Sequence, residues 1–204
     1  MRGMSAYGAK NPDRPFNSKT KDTEYHRPLL NGGDIGKYIV KWNNEYIKYG
    51  EWLHRPRPVN IYDVPHLLVQ RIRNPKLKNR IVATYDEDKY ISSDGLSNIV
   101  LKKHVKNDDF LKFLLSIINS KLINYWFSFY FFDVNIKPEQ IRKIPIKHID
   151  YGHQIAFINK VNEILSLKSQ DSQADTQSLE QEIDAMVYEL YGLSEEEIKI
   201  VDGS

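Results

Sequence analysis

The hydrophobic pattern of this 204-residue chain changes period once, and that change constrains the fold more than any other feature. Up to about residue 102, apolar residues come in short runs separated by turn formers. From Phe110 onward, Leu111, Leu114, Leu115, Ile117, Ile118, Leu122, Tyr125 and Trp126 join it on one broad helical face. Short strands linked by turns imply an irregular, mostly antiparallel sheet, and so wide an apolar stripe needs a sheet to lie across. The expected class is α+β, with that sheet packed against a long helix and followed by a C-terminal helical hairpin.

The individual elements follow from local chemistry. Residues 1–33 are polar and broken by Gly8, Pro12, Pro15, Pro28, Gly32 and Gly33, so they read as mostly irregular. Asp34 to Tyr38 suits a short helical turn. Tyr38 to Trp42 and Tyr46 to Tyr49, separated by Asn43-Asn44, read as a hairpin. After the proline-dense stretch Pro56, Pro58 and Pro65, His66 to Ile72 reads as a buried strand turned by Asn74-Pro75. Arg80 to Tyr85 and Lys89 to Ser92 flank the acidic turn Asp86-Glu87-Asp88, and Leu96 to Lys102 adds another strand. Asp108 or Asp109 can cap the long helix. Pro138 to Arg142 suits one helical turn, with a short strand through Ile144 and Ile146. Tyr151 to Lys168 carries Ile155, Ile158, Val161 or Asn162, and Leu165 at helical spacing. A polar link at residues 169–178 is expected to be a mobile loop. Leu179, Ile183, Met186, Val187 and Leu190 then mark a third helix, stopped at Gly192. Ser194 and Glu197 have capping-box spacing for a last short helix.

Charge divides the chain as sharply as period does. The net charge is +2, from 29 Lys+Arg and 27 Asp+Glu. Residues 1–148 hold 26 basic and 15 acidic residues, giving +11, and residues 149–204 hold 3 and 12, giving −9. Two units are therefore expected: a basic, aromatic-rich recognition domain over 1–148 and an acidic helical tail over 149–204, serving packing or partner docking. A large basic surface attracts polyanions, of which nucleic acid is the commonest large one. With no cysteine, disulfide scaffolds, thiolate zinc sites and cysteine nucleophiles are excluded. No run approaches the roughly 20 apolar residues of a membrane span, so no membrane partner is expected and a cytoplasmic location is.

Several catalytic patterns fail on spacing. Asn31-Gly32-Gly33-Asp34-Ile35-Gly36 has neither the dinucleotide fingerprint nor the Lys-Ser/Thr end of a phosphate loop, and reads as a turn. The six histidines are scattered without metal-ligand spacing. Asn11-Pro12-Asp13-Arg14-Pro15-Phe16 is close to the Asn-Pro-Pro-aromatic motif of amino-methyltransferases, but an Asp-Arg insertion separates the prolines. Glu87 and Lys89, with Asp63 upstream, have the residue types of a magnesium nuclease, although an acidic hairpin turn accounts for them as well. No catalytic residue and no metal site is assigned.

The positive signal is a cluster of cations. Arg71, Arg73, Lys76, Lys78 and Arg80 lie within ten residues across a strand end and a proline-containing turn, where they can reach phosphates or the paired acceptors of guanine. Arg55 and Arg57 form a smaller pair. Lys102, Lys103, Arg142 and Lys143 extend the basic character. Lys37, Lys121 and Lys137 join the DNA-binding candidates, and Asn135 suits an adenine edge if its loop enters the major groove. Singly, each is a solvated side chain; together they favour a duplex-binding module.

Six segments in order carry a resemblance. Pro28-Leu-Leu-Asn-Gly-Gly-Asp-Ile-Gly-Lys-Tyr38, Tyr49-Gly-Glu-Trp-Leu53, His66-Leu-Leu-Val-Gln-Arg-Ile72 and Ile118-Asn-Ser-Lys-Leu-Ile-Asn-Tyr125 come first. Ile141-Arg-Lys-Ile-Pro-Ile146 and Ile183-Asp-Ala-Met-Val-Tyr-Glu-Leu-Tyr-Gly-Leu193 follow. The series resembles the Taq-type C-terminal specificity (target recognition) domain of restriction–modification adenine-specific DNA methyltransferases. The resemblance implies a DNA sequence-recognition module without catalysis of its own. It further implies a methyltransferase catalytic domain, in cis or in trans, that uses S-adenosylmethionine; no cofactor is expected in this chain. Double-stranded DNA is the expected partner, with self-association possible through the C-terminal helices. The alternatives are a protein-interaction module that docks an acidic partner and, more remotely, the magnesium nuclease.

Overall fold

The computed structural model describes residues 1–8, 14–102 and 107–203. Nine short strands come first: β1 (Asn17–Ser18), β2 (His26–Leu30), β3 (Ile35–Gly36), β4 (Ile39–Val40), β5 (Tyr46–Lys48), β6 (His66–Gln70), β7 (Ala83–Asp86), β8 (Ile91–Ser92) and β9 (Leu96–Ile99). Helices α1 (Asp108–Asn119), α2 (Lys121–Tyr130), α3 (Pro138–Ile141), α4 (Tyr151–Gln170), α5 (Gln177–Tyr191) and α6 (Glu195–Asp202) follow. The strands form three small sheets, ordered β1-β5-β2-β8, β3-β4 and β7-β6-β9. Every pairing is antiparallel except β2 with β8, so the expected α+β class holds.

Strand β6 is central because its side chains are apolar on both faces. Leu67 and Val69 enter the main core with Ile81, Ala83 and helix α1, while Leu68 faces the other way with Leu30, Ile35 and Leu96. A third cluster gathers Met4, Leu29, Ile47, Tyr49, Leu53, Ile61, Tyr62 and Ile91 under the first sheet. The main cluster also takes in Phe157, Ile158, Val161 and Ile164 of α4 and Ile183 and Val187 of α5. The apolar stripe of the acidic segment is thus buried against the same core as the basic segment.

Three expected elements differ. The long helix is two helices, because Ser120 has φ −65° and ψ 154°. Its hydroxyl donates to the Ile117 carbonyl at 2.7 Å and accepts from the Ile123 amide at 3.2 Å, closing one helix and capping the next. The Asn107 side chain, not Asp108 or Asp109, caps α1, and the two carboxylates sit in its first turn, where the helix dipole favours them. The expected hairpin across Asn43-Asn44 does not form: β4 pairs with β3 through the two-residue turn Lys37-Tyr38, and β5 pairs with β1 and β2. Tyr38 takes φ 59° in that turn, a conformation its burial against Leu67 and Ala83 holds in place. Helix α4 turns its buried face toward Phe157, Ile158, Val161 and Ile164, leaving Ile155 exposed.

The remaining differences are local. No strand forms through Ile144 and Ile146, and Asp34 ends a short 3-10 turn at Gly32–Asp34 rather than starting one. Only residues 171–176 separate α4 from α5, and Thr176 is buried there. Gly192 closes α5 with φ 75°, and the Ser194–Glu197 capping box opens α6 as expected. Residues Asn11 to Asp13 of the proline near-motif, and Lys103 and His104, lie outside the described residues.

Candidate nucleic-acid interface

The cationic cluster at 71–80 forms one of two loops joined side by side. The segment following α2, residues 131–137, runs antiparallel to the end of β6. Ile72 bridges Asn135, the Arg73 amide donates to the Val134 carbonyl at 3.0 Å, and the Ile136 amide donates to the Arg71 carbonyl at 2.7 Å. Two buried guanidiniums hold this pair from beneath. Arg71, 5% exposed, donates to the Asn135 side-chain oxygen at 2.8 Å and to the Asp94 carbonyl. Arg80, 0% exposed, donates to the Asp133 carbonyl and lies 5.7 Å from the centre of the Phe127 ring. Burial lowers the pKa of both, yet an arginine stays charged at any physiological pH.

The structure therefore sorts the sequence-derived candidates. Arg71 and Arg80 point inward and shape the loops. Arg73 is half-buried and donates to the Asn79 carbonyl at 3.0 Å and to the Gln70 side chain. Lys76 and Lys78 are exposed on the 71–80 loop, and Lys137 is exposed at the base of the other, 3.6 Å from Asp133. Asn135 is exposed, with its side-chain oxygen engaged by Arg71. These residues make one surface.

Others are engaged elsewhere, although the Asp202 carboxylate that pairs with Lys121 also lies within electrostatic reach of Lys78. Lys37 pairs with Glu180 of α5 at 2.6 Å, and Lys121 pairs with Asp202 of α6 at 2.9 Å. Both join the basic and acidic segments of the chain. Arg55 is exposed beside the N-terminal residues, where its backbone bridges Ser5, and the Arg57 guanidinium donates to the Gly3 carbonyl at 3.4 Å. They form a second, smaller basic area. Among the nuclease candidates, Asp63 is paired with Arg27 at 2.9 Å. Among the described residues no group of three His, Cys, Asp or Glu side chains is placed to hold a metal ion.

Sequence reasoning missed the apolar part of the surface. Phe132 is 72% exposed, Ile72 64%, Val134 55% and Leu77 45%, all on the two joined loops. Phe129 and Tyr130 at the end of α2 are exposed next to them in sequence. The available signal was the apolar run Phe127 to Phe132 continuing past the end of a helix whose other face is already buried.

The quoted motif segments have structural explanations. The Asn119 side chain accepts from the Ala83 amide at 2.9 Å and donates to the Ala83 carbonyl at 3.0 Å, acting as a one-residue strand against the edge of β7. The Asn124 side chain accepts from the Ile81 amide at 2.9 Å and donates to the Ser120 carbonyl at 3.0 Å. Asp184 of α5 accepts from the Lys121 amide at 2.8 Å, at the positive end of α2. In the glycine-rich turn, the Gly32 carbonyl accepts from Gln70 at 2.6 Å, and a side chain at Gly32 would meet the Gly95 carbonyl at 3.1 Å. That turn is closed by packing and leads into a two-residue strand, so it does not fit a nucleotide cofactor.

The stretch of chain that holds most of these segments matches a known family. The TaqI-like C-terminal specificity domain matches residues 27–146, more than half of the chain. The chain belongs to that family. The fold extends beyond the matched region: a type IIL restriction–modification enzyme, MmeI, solved in complex with DNA, superposes with a TM-score of 0.64 over 95% of this chain at 11% identity. The chain covers 33% of that enzyme's length. No curated protein sequence matches. Among the described residues, no helix of this TaqI-like domain is long and apolar enough to cross a membrane.

Proposed function

We propose that the chain is the DNA sequence-recognition domain of a restriction–modification or phage-defence adenine-specific DNA methyltransferase. The observation that carries this reading is the joined pair of loops, 71–80 and 131–137, presented by a TaqI-like specificity domain. Lys76, Lys78 and Lys137 contact phosphates, while the exposed loop side chains face base edges in the major groove. The DNA-bound state of the structurally similar restriction–modification enzyme supports duplex DNA as the partner. A catalytic domain, in cis or in trans, holds S-adenosylmethionine and extracts the target adenine; this chain positions that domain and performs no chemistry. A cytoplasmic location follows from that role.

The test is fluorescence anisotropy of the purified chain on a random-sequence duplex over a range of salt, followed by selection from a degenerate duplex library. The wild type should bind in a salt-dependent manner and enrich an asymmetric motif. Replacing Lys76, Lys78 and Lys137 together by glutamine should weaken binding to every duplex and reduce the salt slope by about 0.9 per lost phosphate contact. Arg71 is unsuited to this test because its removal disturbs the loop it supports. An unchanged slope in a folded triple variant, or the absence of duplex binding at low salt, overturns the reading. In the second case, capture of an acidic polypeptide by the same lysines would favour a protein-interaction module.

A further inference from the structure

The most exposed large apolar side chain of the loop pair, Phe132, sits in a setting that flexible surface loops lack. Its segment contains no glycine. Arg80 holds the neighbouring Asp133 carbonyl from below, and the Asp133 carboxylate accepts from Gln140 at 2.9 Å and lies 3.6 Å from Lys137. Asn135 and Ile136 are fixed to Arg71. The loop therefore projects Phe132 and Val134 from a backbone held at the carbonyls of Asp133 and Val134 and at the amide of Ile136. Its one carboxylate, Asp133, stands beside Lys137, so the two together bring no net negative charge to the loop. Lys76 and Lys78 are exposed on the loop joined to this one, and Lys137 is exposed at its end. Positive charge around an anchored aromatic side chain is complementary to a duplex, whose phosphates flank a stack of apolar base faces.

Resting on the DNA-recognition reading above, we propose that Phe132 is an apolar wedge that enters the base stack of the bound duplex and opens one base step, with Val134 supporting it at the groove floor. The step entered should be a pyrimidine–purine step, since these unstack most easily. Arg80 acts as a positioning residue: it holds the loop against the resistance of the stack and does not touch DNA. The wedge gives the domain a means of selecting sequence by deformability, in addition to hydrogen bonds at base edges.

The experiment uses the full chain and the duplex enriched by the wild type, with 2-aminopurine placed at successive positions. The wild type should raise 2-aminopurine fluorescence severalfold at one step. Phe132→Ala should lose that rise and weaken binding about tenfold, the scale of one lost base stack, with Phe132→Leu retaining part of both. Anisotropy, run in parallel, keeps every duplex saturated. If no position brightens, or if Phe132→Ala still brightens the same step when bound, the wedge is overturned while DNA recognition stands. If the folded wild type binds and enriches no duplex, both readings fall together.

Discussion

Individual side chains decide more here than their types suggest. The sequence places Asp86 in an acidic turn, yet it is a buried member of β7, 3.4 Å from the equally buried His66 of β6. His66 Nδ1 lies 2.8 Å from the Val64 carbonyl. With its proton on Nδ1, the ring donates there and turns a bare Nε2 toward the carboxyl. Burial pushes the Asp86 pKa up to about 7, against the amides of Asp88 and Tyr90 that pull it down. Burial also lowers the pKa of His66. The two groups act in opposite directions. Asp86 is protonated more readily folded than unfolded, so its contribution is fully present below about pH 4 and is lost as pH rises toward 7. His66 is protonated less readily folded, so its contribution is present above pH 6.5, its unfolded value, and is lost as pH falls. Asp86→Asn removes the first titration. Urea unfolding should show the variant gaining on the wild type by an amount on the order of 3 kcal/mol between pH 4 and 7.5. A constant difference across that range would show that Asp86 is ionised in the folded protein.

The same scale explains why the candidate surface was only partly legible. Five cations within ten residues mark the 71–80 segment, but charge does not reveal direction. Arg71 and Arg80 are interior because carbonyls of Asp94, Asp133 and Ile136 lie within their reach, and those partners come from segments distant in sequence. Lys76 and Lys78, between them on a proline-containing turn, stay exposed. Phe132 belongs to an apolar run that continues past the end of α2, but taken singly an aromatic following a helix reads as core.

At the level of elements, the pattern located the helices and most of the strands, but not which strands pair. The apolar stripe runs on across the α1–α2 break because Ser120 changes the direction of the backbone without adding or removing a residue. No hydropathy pattern marks that. The strands are two to five residues long, too short for alternation to specify register, so neighbours in sequence such as β4 and β5 end in different sheets. What fixes β7 is the helix side: Asn119 and Asn124 take up the backbone groups of Ala83 and Ile81 that no strand covers. Asn119→Ala should leave the buried Ala83 amide without a partner and its carbonyl with the Tyr38 amide alone, at 3.2 Å, costing roughly 1–3 kcal/mol in chemical denaturation. Asn119→Asp restores the acceptor but not the donor, and should fall between. A loss below about 0.5 kcal/mol for the alanine variant would mean that the contact is replaced by solvent and does not hold the edge.

For the whole molecule, opposite charge in the two halves of the sequence becomes an internal relation rather than two separate bodies. Lys37–Glu180 and Lys121–Asp202 join them, and Ile183 and Val187 lie in the core that β6 and α1 build. Helices α5 and α6 should therefore respond differently to removal. A chain ending at residue 174 loses α5, the Asp184 carboxylate at the start of α2 and the core contacts of Ile183, Val187 and Tyr188. Each large buried side chain contributes roughly 1.5–3 kcal/mol, and a domain of this size has about 5–15 kcal/mol in total, so this chain should show no cooperative thermal transition. A chain ending at residue 193 loses only α6, which has no buried residue, and the two hydrogen bonds to Asp202. It should melt cooperatively, a few degrees lower. Residues 194–204 carry four acidic and one basic side chain, a charge of −3, so the net charge rises from +2 to +5. Under the proposed role the shorter chain should bind duplex DNA at least as tightly as the full one and enrich the same motif, because its loops at 71–80 and 131–137 are untouched. Loss of the motif in a chain that still melts cooperatively would place part of the reading surface on α6, and would require the pair Lys121–Asp202 to orient DNA rather than to join the two segments.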